Sequence, residues 1–187
     1  QLVSKHVLND KTDNQNHQGI VADVKPYEYA DLNVLFDGQK KKVLILDQIE
    51  DPHNLGAILR SVEATKIDAV ILPKNRSVEI TGTVAKTAVG ALEYTTIIQV
   101  TNLTQTIEKL KQHGFWVIGT DMVADKTYKD IDTSTSVAVV IVNEGEGISR
   151  LVKQSCDYLV TIPMIGKVNS LNASVAAALI LYKLADL

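Results

Sequence analysis

The sequence is short of several residue types, and each shortage excludes something. A single cysteine, Cys156, stands among 187 residues, so neither an internal disulfide nor a multi-cysteine metal site can form, and the thiol is expected to pack as a small apolar group in a reducing compartment. The four histidines, His6, His17, His53 and His113, are scattered and lack the spacing of a zinc site. No metal is expected. No apolar run reaches the roughly 20 residues of a membrane helix, and residues 1–20 are polar, without a signal-peptide core. A cytoplasmic protein with no membrane partner is the expectation. Positive charge is not in excess either: Lys and Arg total 19 against 22 Asp and Glu, a net charge of −3. RNA or DNA would therefore need a local basic surface. The candidates are Lys40-Lys41-Lys42, Lys74 with Arg76, and Arg60 with Lys66; for the lysine run a solvated turn is the competing explanation. Nucleotide fingerprints are missing as well. Asn143-Glu144-Gly145-Glu146-Gly147 has Arg150 where a third glycine would stand, no Gly-Lys-Ser/Thr occurs, and Ser170 has no G-x-S-x-G context.

What is present is an ordinary globular balance, 45% hydrophobic and 22% charged, in a chain long enough for one main domain with a real core. From residue 42 the pattern is regular. Val43-Leu44-Ile45-Leu46 is an unbroken apolar run of strand length, the mark of a strand covered on both faces. The alternation then predicts a helix over 55–65, a strand over 69–72, a helix over 81–89, strands over 95–100, 115–119 and 137–142, helices over 103–112 and 148–154, and a last strand over 158–162. Upstream, 20–24 reads as a short strand and 27–36 as a short helix. Residues 1–19 show no period and read as a linker or a cut domain edge. The expected class is α/β, with a mostly parallel sheet and helices on both faces.

On such a sheet ligands bind beyond the carboxyl ends of the strands. Three loops at such ends are polar or glycine-rich: 47–54, 143–147 and 163–172. The last contains Pro163 and Gly166 and leads to a helix over 173–185 that is apolar nearly all round and starts with small residues. That helix is expected to be buried on more than one side. Its polar start can present backbone N–H groups to a ligand or simply cap the helix.

Three of these stretches together carry a resemblance. Asp51-Pro52-His53-Asn54-Leu55-Gly56-Ala57-Ile58-Leu59-Arg60-Ser61, Asn143-Glu144-Gly145-Glu146-Gly147-Ile148-Ser149, and Ile162-Pro163-Met164 through Ser170-Leu171-Asn172-Ala173-Ser174-Val175-Ala176 resemble the three ordered motifs of SpoU/TrmH-type RNA ribose 2′-O-methyltransferases of the SPOUT superfamily. Lys86 with Gly90-Ala91, and His17-Gln18-Gly19, add weaker matches to the 23S ribosomal RNA branch. The resemblance covers residues 17–187. It implies a deep C-terminal trefoil knot, S-adenosylmethionine bound bent within it, and a homodimer that buries the last helix and completes each site with the partner's first-motif arginine. It also implies that 20–187 is the catalytic domain and that 1–19 adjoins an N-terminal RNA-binding domain. The implied reaction is methyl transfer to a ribose 2′-hydroxyl of structured RNA. The alternative is an RNA-binding or ribosome-assembly protein of the same fold with weak or no turnover.

The resemblance assigns roles residue by residue. Arg60 matches the arginine placed at the reacting hydroxyl. A guanidinium is not deprotonated in proteins, so phosphate clamping and alkoxide stabilisation suit it better than general-base work, with a helix-surface salt bridge as the competing account. Asn54 is expected to cap its helix and orient Arg60, and Glu144 to hold Asn54 or accept a proton. Ser170 and Asn172 would hold ribose or cofactor, or cap the helix. Cofactor contacts fall on Thr120, Val142, Gly147, Ile162 and Leu171, whose other reading is sheet-end core. Val142 departs from the family pattern, which has glycine there. A β-branched side chain at that point must either enter the neighbouring core or crowd the cofactor, and weakened binding is the expectation.

Overall fold

The unbroken apolar runs lie side by side as the interior strands of one sheet. In the computed structural model, which describes every residue of 1–187 except 15, 144–146 and 169, the strands are β1 (Lys42–Asp47), β2 (Ala69–Pro73), β3 (Ile97–Val100), β4 (Trp116–Thr120), β5 (Lys126–Thr127), β6 (Val137–Val142) and β7 (Tyr158–Thr161). Their order is β3-β2-β1-β6-β4-β7-β5, and all six pairings are parallel. The helices are α1 (Lys5–Lys11), α2 (Pro52–Ala64), α3 (Gly82–Ala88), α4 (Leu103–Gln112), α5 (Arg150–Ser155) and α6 (Ala173–Leu184). The expected α/β class, with helices on both faces, is what forms.

Alternation along the strands divides the core in two. Leu44 and Leu46 of β1 and Val139 and Ile141 of β6 face α2, α3 and α6, whereas Val43, Ile45, Ala138 and Val140 face α4 and α5. Most of these side chains are fully buried, and burying each large aliphatic contributes about 1.5–3 kcal/mol before entropy is counted. Helix starts follow their caps. The Asp51 carboxylate accepts the His53 N–H at 2.9 Å, and Pro52 takes the first position of α2, where a missing N–H costs nothing. At α6 the Asn172 side chain accepts from the Ser174 N–H at 3.0 Å.

Three expectations are corrected. Residues 20–24 form no strand: Ile20 and Val24 are exposed, and an isolated parallel bridge from Ala30 to Ile98 is all the pairing that this region makes among the described residues. The helix expected over 27–36 shrinks to a 3-10 turn, Leu32–Leu35, because the Asp31 carboxylate caps only the Asn33 N–H and Phe36 ends the run. Residues 1–19 contain a helix, α1, which buries no side chain. Their link to the rest includes the Lys86 ammonium, which donates to the Asn16 carbonyl at 2.7 Å. Helix α6 also differs from expectation. Ala173, Ala177, Ile180, Leu181 and Leu184 are buried, but Val175, Leu179 and Tyr182 lie exposed on its outer side. Among the described residues no helix is long and apolar enough to cross a membrane.

Helices α2 and α3 pack closely because Gly56 has no side chain. A β-carbon there would lie 2.5 Å from Thr87 Cβ and 2.8 Å from Thr87 Cγ2. Thr87 is stiff at its branch point, so the helices would have to part. Gly56→Ala is expected to lower unfolding free energy by about 1–3 kcal/mol despite the better helix propensity of alanine. Urea denaturation checks this, and an unchanged midpoint would refute it.

Candidate active site

Every strand being parallel, all seven carboxyl ends lie on one edge of the sheet. The central register places Asp47 beside Val142 and Thr120 beside Val160, so the segments that leave β1, β6, β4 and β7 converge. Between the last three and the start of α6 opens a cavity of about 960 Å³. Thr120, Val142, Gly147, Ile162 and Leu171 all line it, together with Ser170. The residues expected to contact a cofactor are thus gathered at one place from three separate segments. The Thr120 hydroxyl is spent on the Val140 carbonyl, 3.0 Å away, which fixes the end of β4 against β6. Gly147 turns with φ +68°, in the left-handed region that favours glycine.

A pair of opposite charges in the wall had not been singled out. Lys153 donates to Asp121 at 2.6 Å, and both line the cavity. Burial pushes the Asp121 carboxyl up, but the Lys153 ammonium and the Val123 N–H outweigh it and hold the group below the usual carboxylate range. A signal for Asp121 did exist, since it follows Thr120 at a strand end. Lys153 gave none, being one of several lysines on helix surfaces.

The first and third motifs meet at the rim. Asn172 Nδ2 donates to Asn54 Oδ1 at 3.0 Å, across 118 residues of sequence. The expected capping role of Asn54 is corrected: Asp51 caps α2, and Asn54, inside the first turn, spends its carbonyl oxygen on Asn172. Asn172 serves in two ways, since its Oδ1 caps α6 while its Nδ2 reaches Asn54. Arg60 is exposed on α2, outside the cavity wall, and makes no ion pair among the described residues. The salt bridge weighed for it does not form among the described residues. Glu144 lies outside the described residues. Among the described residues no group of three or more His, Cys, Asp and Glu side chains is placed to hold a metal.

Comparison with known proteins identifies the three-motif arrangement. The sequence profile of the SpoU rRNA methylase family matches residues 41–182. The chain belongs to the SpoU family. A second profile, described as RNA 2′-O ribose methyltransferase substrate binding, matches residues 1–30 of this SpoU chain. A Staphylococcus aureus protein assigned to the TrmH family of tRNA/rRNA methyltransferases is 52% identical over 98% of the chain, which spans 75% of that relative. Among solved structures, the SpoU methyltransferase AviRb from Streptomyces viridochromogenes superposes with a TM-score of 0.77 at 25% identity, covering 85% of this chain and 64% of AviRb. AviRb in complex with the cofactor AdoMet gives 0.74 at 27% identity, covering 85% of this chain and 65% of the other. The SpoU chain therefore spans just under two thirds of AviRb.

Val142 lines the cavity, yet its side chain also packs into the core layer facing α4 and α5. Alternation in β6 sends it there with Val140 and Ala138. Val142→Gly is expected to cost about 1–3 kcal/mol of stability through lost burial and added chain entropy. Urea unfolding of the two proteins measures it, and equal stabilities would mean that the side chain stands in the cavity instead.

Proposed function

We propose that this protein transfers a methyl group from S-adenosylmethionine to a ribose 2′-hydroxyl of structured RNA, with 23S ribosomal RNA as the substrate. The observation that carries this reading is the convergence of Thr120, Val142, Gly147, Ile162, Ser170 and Leu171 on one cavity, with the first and third motifs joined at its rim through Asn54 and Asn172. S-adenosylmethionine fits what lines the cavity: apolar Ile141, Val160, Ile162 and Leu171 beside polar Thr120 and Asp121, and a left-handed glycine that leaves backbone accessible. AviRb, a relative of this fold, has been seen with that cofactor. When bound, it supplies an electrophilic methyl group on a sulfonium.

The protein's own residues then have to position the ribose, exclude water and stabilise charge as the hydroxyl proton leaves. Ser170, at the cavity wall, and Asn172, at the rim, offer short hydrogen-bonding side chains to the ribose. Val142, Ile162 and Leu171 would meet the cofactor largely through backbone. Glu144 is assigned to the same motif loop, as a proton acceptor or a partner of Asn54. Arg60 clamps phosphate and stabilises the developing alkoxide. Because it is exposed on α2 and does not line the cavity of its own chain, we assign it to the neighbouring site of a homodimer. The exposed apolar residues Val175, Leu179 and Tyr182 of α6 support that assembly. The C-terminal segment is taken to be knotted, in keeping with the placement of β7 between β4 and β5, both earlier in sequence. Residues 1–19 are a linker or the edge of an N-terminal RNA-binding domain, a reading supported by the substrate-binding profile that matches residues 1–30; residues 20–187 form the catalytic domain, and the reaction belongs in the cytoplasm.

The test is transfer of radiolabelled methyl from S-adenosylmethionine to total RNA, followed by nucleoside analysis. Label is expected in 2′-O-methylnucleosides and absent from DNA, which has no 2′-hydroxyl. Arg60→Ala should lower kcat by about a hundredfold or more while leaving cofactor affinity within about threefold. RNA that stays unlabelled while the protein binds RNA and not S-adenosylmethionine would favour an assembly protein. Light scattering should give twice the chain mass at micromolar concentration, and Leu179→Glu should give a monomer. A wild-type monomer would remove the dimer and the shared arginine with it.

A further inference from the structure

Helix α5 carries one stretch of the cavity wall, since Gly147 and Ile148 lead into it and Lys153 stands on it. Little in the helix itself holds it there. Six residues are too few to sustain a helix by backbone bonds alone, its cap residue Ser149 makes no side-chain capping bond, and Val152 is its one buried side chain, with Leu151 exposed. Tertiary ties have to place it. Beyond its far end, Asp157 receives the Val117 N–H at 2.8 Å and pairs with Lys111 at 2.8 Å. The residues that flank the helix lie close against β4: a β-carbon on Gly119 would come within 2.9 Å of Ile148 Cδ1 and 3.1 Å of Cys156 Sγ.

On the cavity side the tie is ionic. The Lys153 ammonium donates to one oxygen of Asp121 at 2.6 Å, and the other oxygen receives the Val123 N–H at 2.9 Å. Asp121 is in turn fixed to β7, because its own N–H donates to the Val160 carbonyl at 2.9 Å. The pair therefore joins α5, the loop after β4 and β7 at one point of the wall. With the Asp121 side chain only 19% exposed, salt and water screen the pair less than an open surface bridge. We propose that Asp121 and Lys153 are positioning residues: their ion pair latches α5 to the end of β4 and so sets the spacing of two stretches of the cofactor cavity wall.

The proposal rests on the cavity being the S-adenosylmethionine site, and the test separates the two. S-adenosylmethionine is a cation through its sulfonium, so direct electrostatics alone would make Lys153→Met strengthen binding and Asp121→Asn weaken it. The latch predicts one direction for both. By calorimetry on the full chain, each substitution, which keeps the size of the side chain, should weaken S-adenosylmethionine about fivefold. The double variant should lie within about twofold of either single one, because both remove the same interaction, and Lys153→Arg should stay within about twofold of wild type. In about 1 M salt the gap between wild type and Lys153→Met should narrow. Without ligand, the Cys156 amide, which donates to the Val152 carbonyl at the end of α5, should exchange hydrogen about threefold or more faster in Lys153→Met than in wild type. Shifts of opposite sign, unchanged affinity in both variants, losses that add in the double variant, or an unchanged Cys156 exchange rate would each overturn the proposal. Wild-type protein that does not bind S-adenosylmethionine would remove the functional reading, and the exchange rate would then decide the latch alone.

Discussion

The pairing of β1 with β6 is the interaction on which the site depends. Six consecutive Cα pairs, from Lys42 with Val137 to Asp47 with Val142, run through the middle of the sheet with apolar side chains packed above and below. Because side chains alternate, a slip of one residue would exchange the two core layers and send Asp47 and Val142 to the wrong face. Both faces are covered, so such a slip would set side chains sized for one layer against the other. That register brings the end of the first-motif strand beside the end of the second-motif strand, and everything at the cavity mouth follows from it.

A second constraint acts from the side. Helices α2 and α6 pack over the same face of the sheet, and their first turns are joined by Asn54 and Asn172. The helix starts are thereby aligned with each other as well as with the strand ends. The arrangement asks little of any one side chain. Asn172 both caps its helix and binds its neighbour, which is why a capping account and a functional account of that residue need not compete.

Much of this was legible before any coordinates. Uninterrupted runs such as Val43 to Leu46 announce a strand buried on both faces, and the polar loops that follow β1, β6 and β7 mark the edge where chemistry gathers. The family resemblance implied cofactor contacts at Thr120, Val142, Gly147, Ile162 and Leu171, and all five line the cavity. The failures have physical causes. β5 has two residues and no period to read. The strand expected at 20–24 has the composition of one but no neighbour to pair with, and strand propensity without a partner decides little. Asn54 looked like a cap because asparagine favours caps, but Asp51 lies one residue before Pro52 and holds the better place. Asp47 was read as the start of a polar loop. In the structure it is a buried side chain at the end of β1, beside Val142.

The wholly parallel sheet also bears on how the molecule is made. Lys41 and Ser136, hydrogen-bonded at the base of β1 and β6, are 95 residues apart in sequence, and no hairpin can bring such neighbours together. The early strands can pair among themselves while β1 keeps one side open, and the central position fills only when β6 arrives. Closing so large a loop carries an entropic cost that must be met before the new contacts repay it. Folding speed in this chain is therefore governed by the search that joins β1 to β6, and helix formation, although faster, cannot shorten it. Until that step is complete the molecule has an exposed strand edge in its middle, the state in which it is most open to mispairing with another copy or to capture by a chaperone.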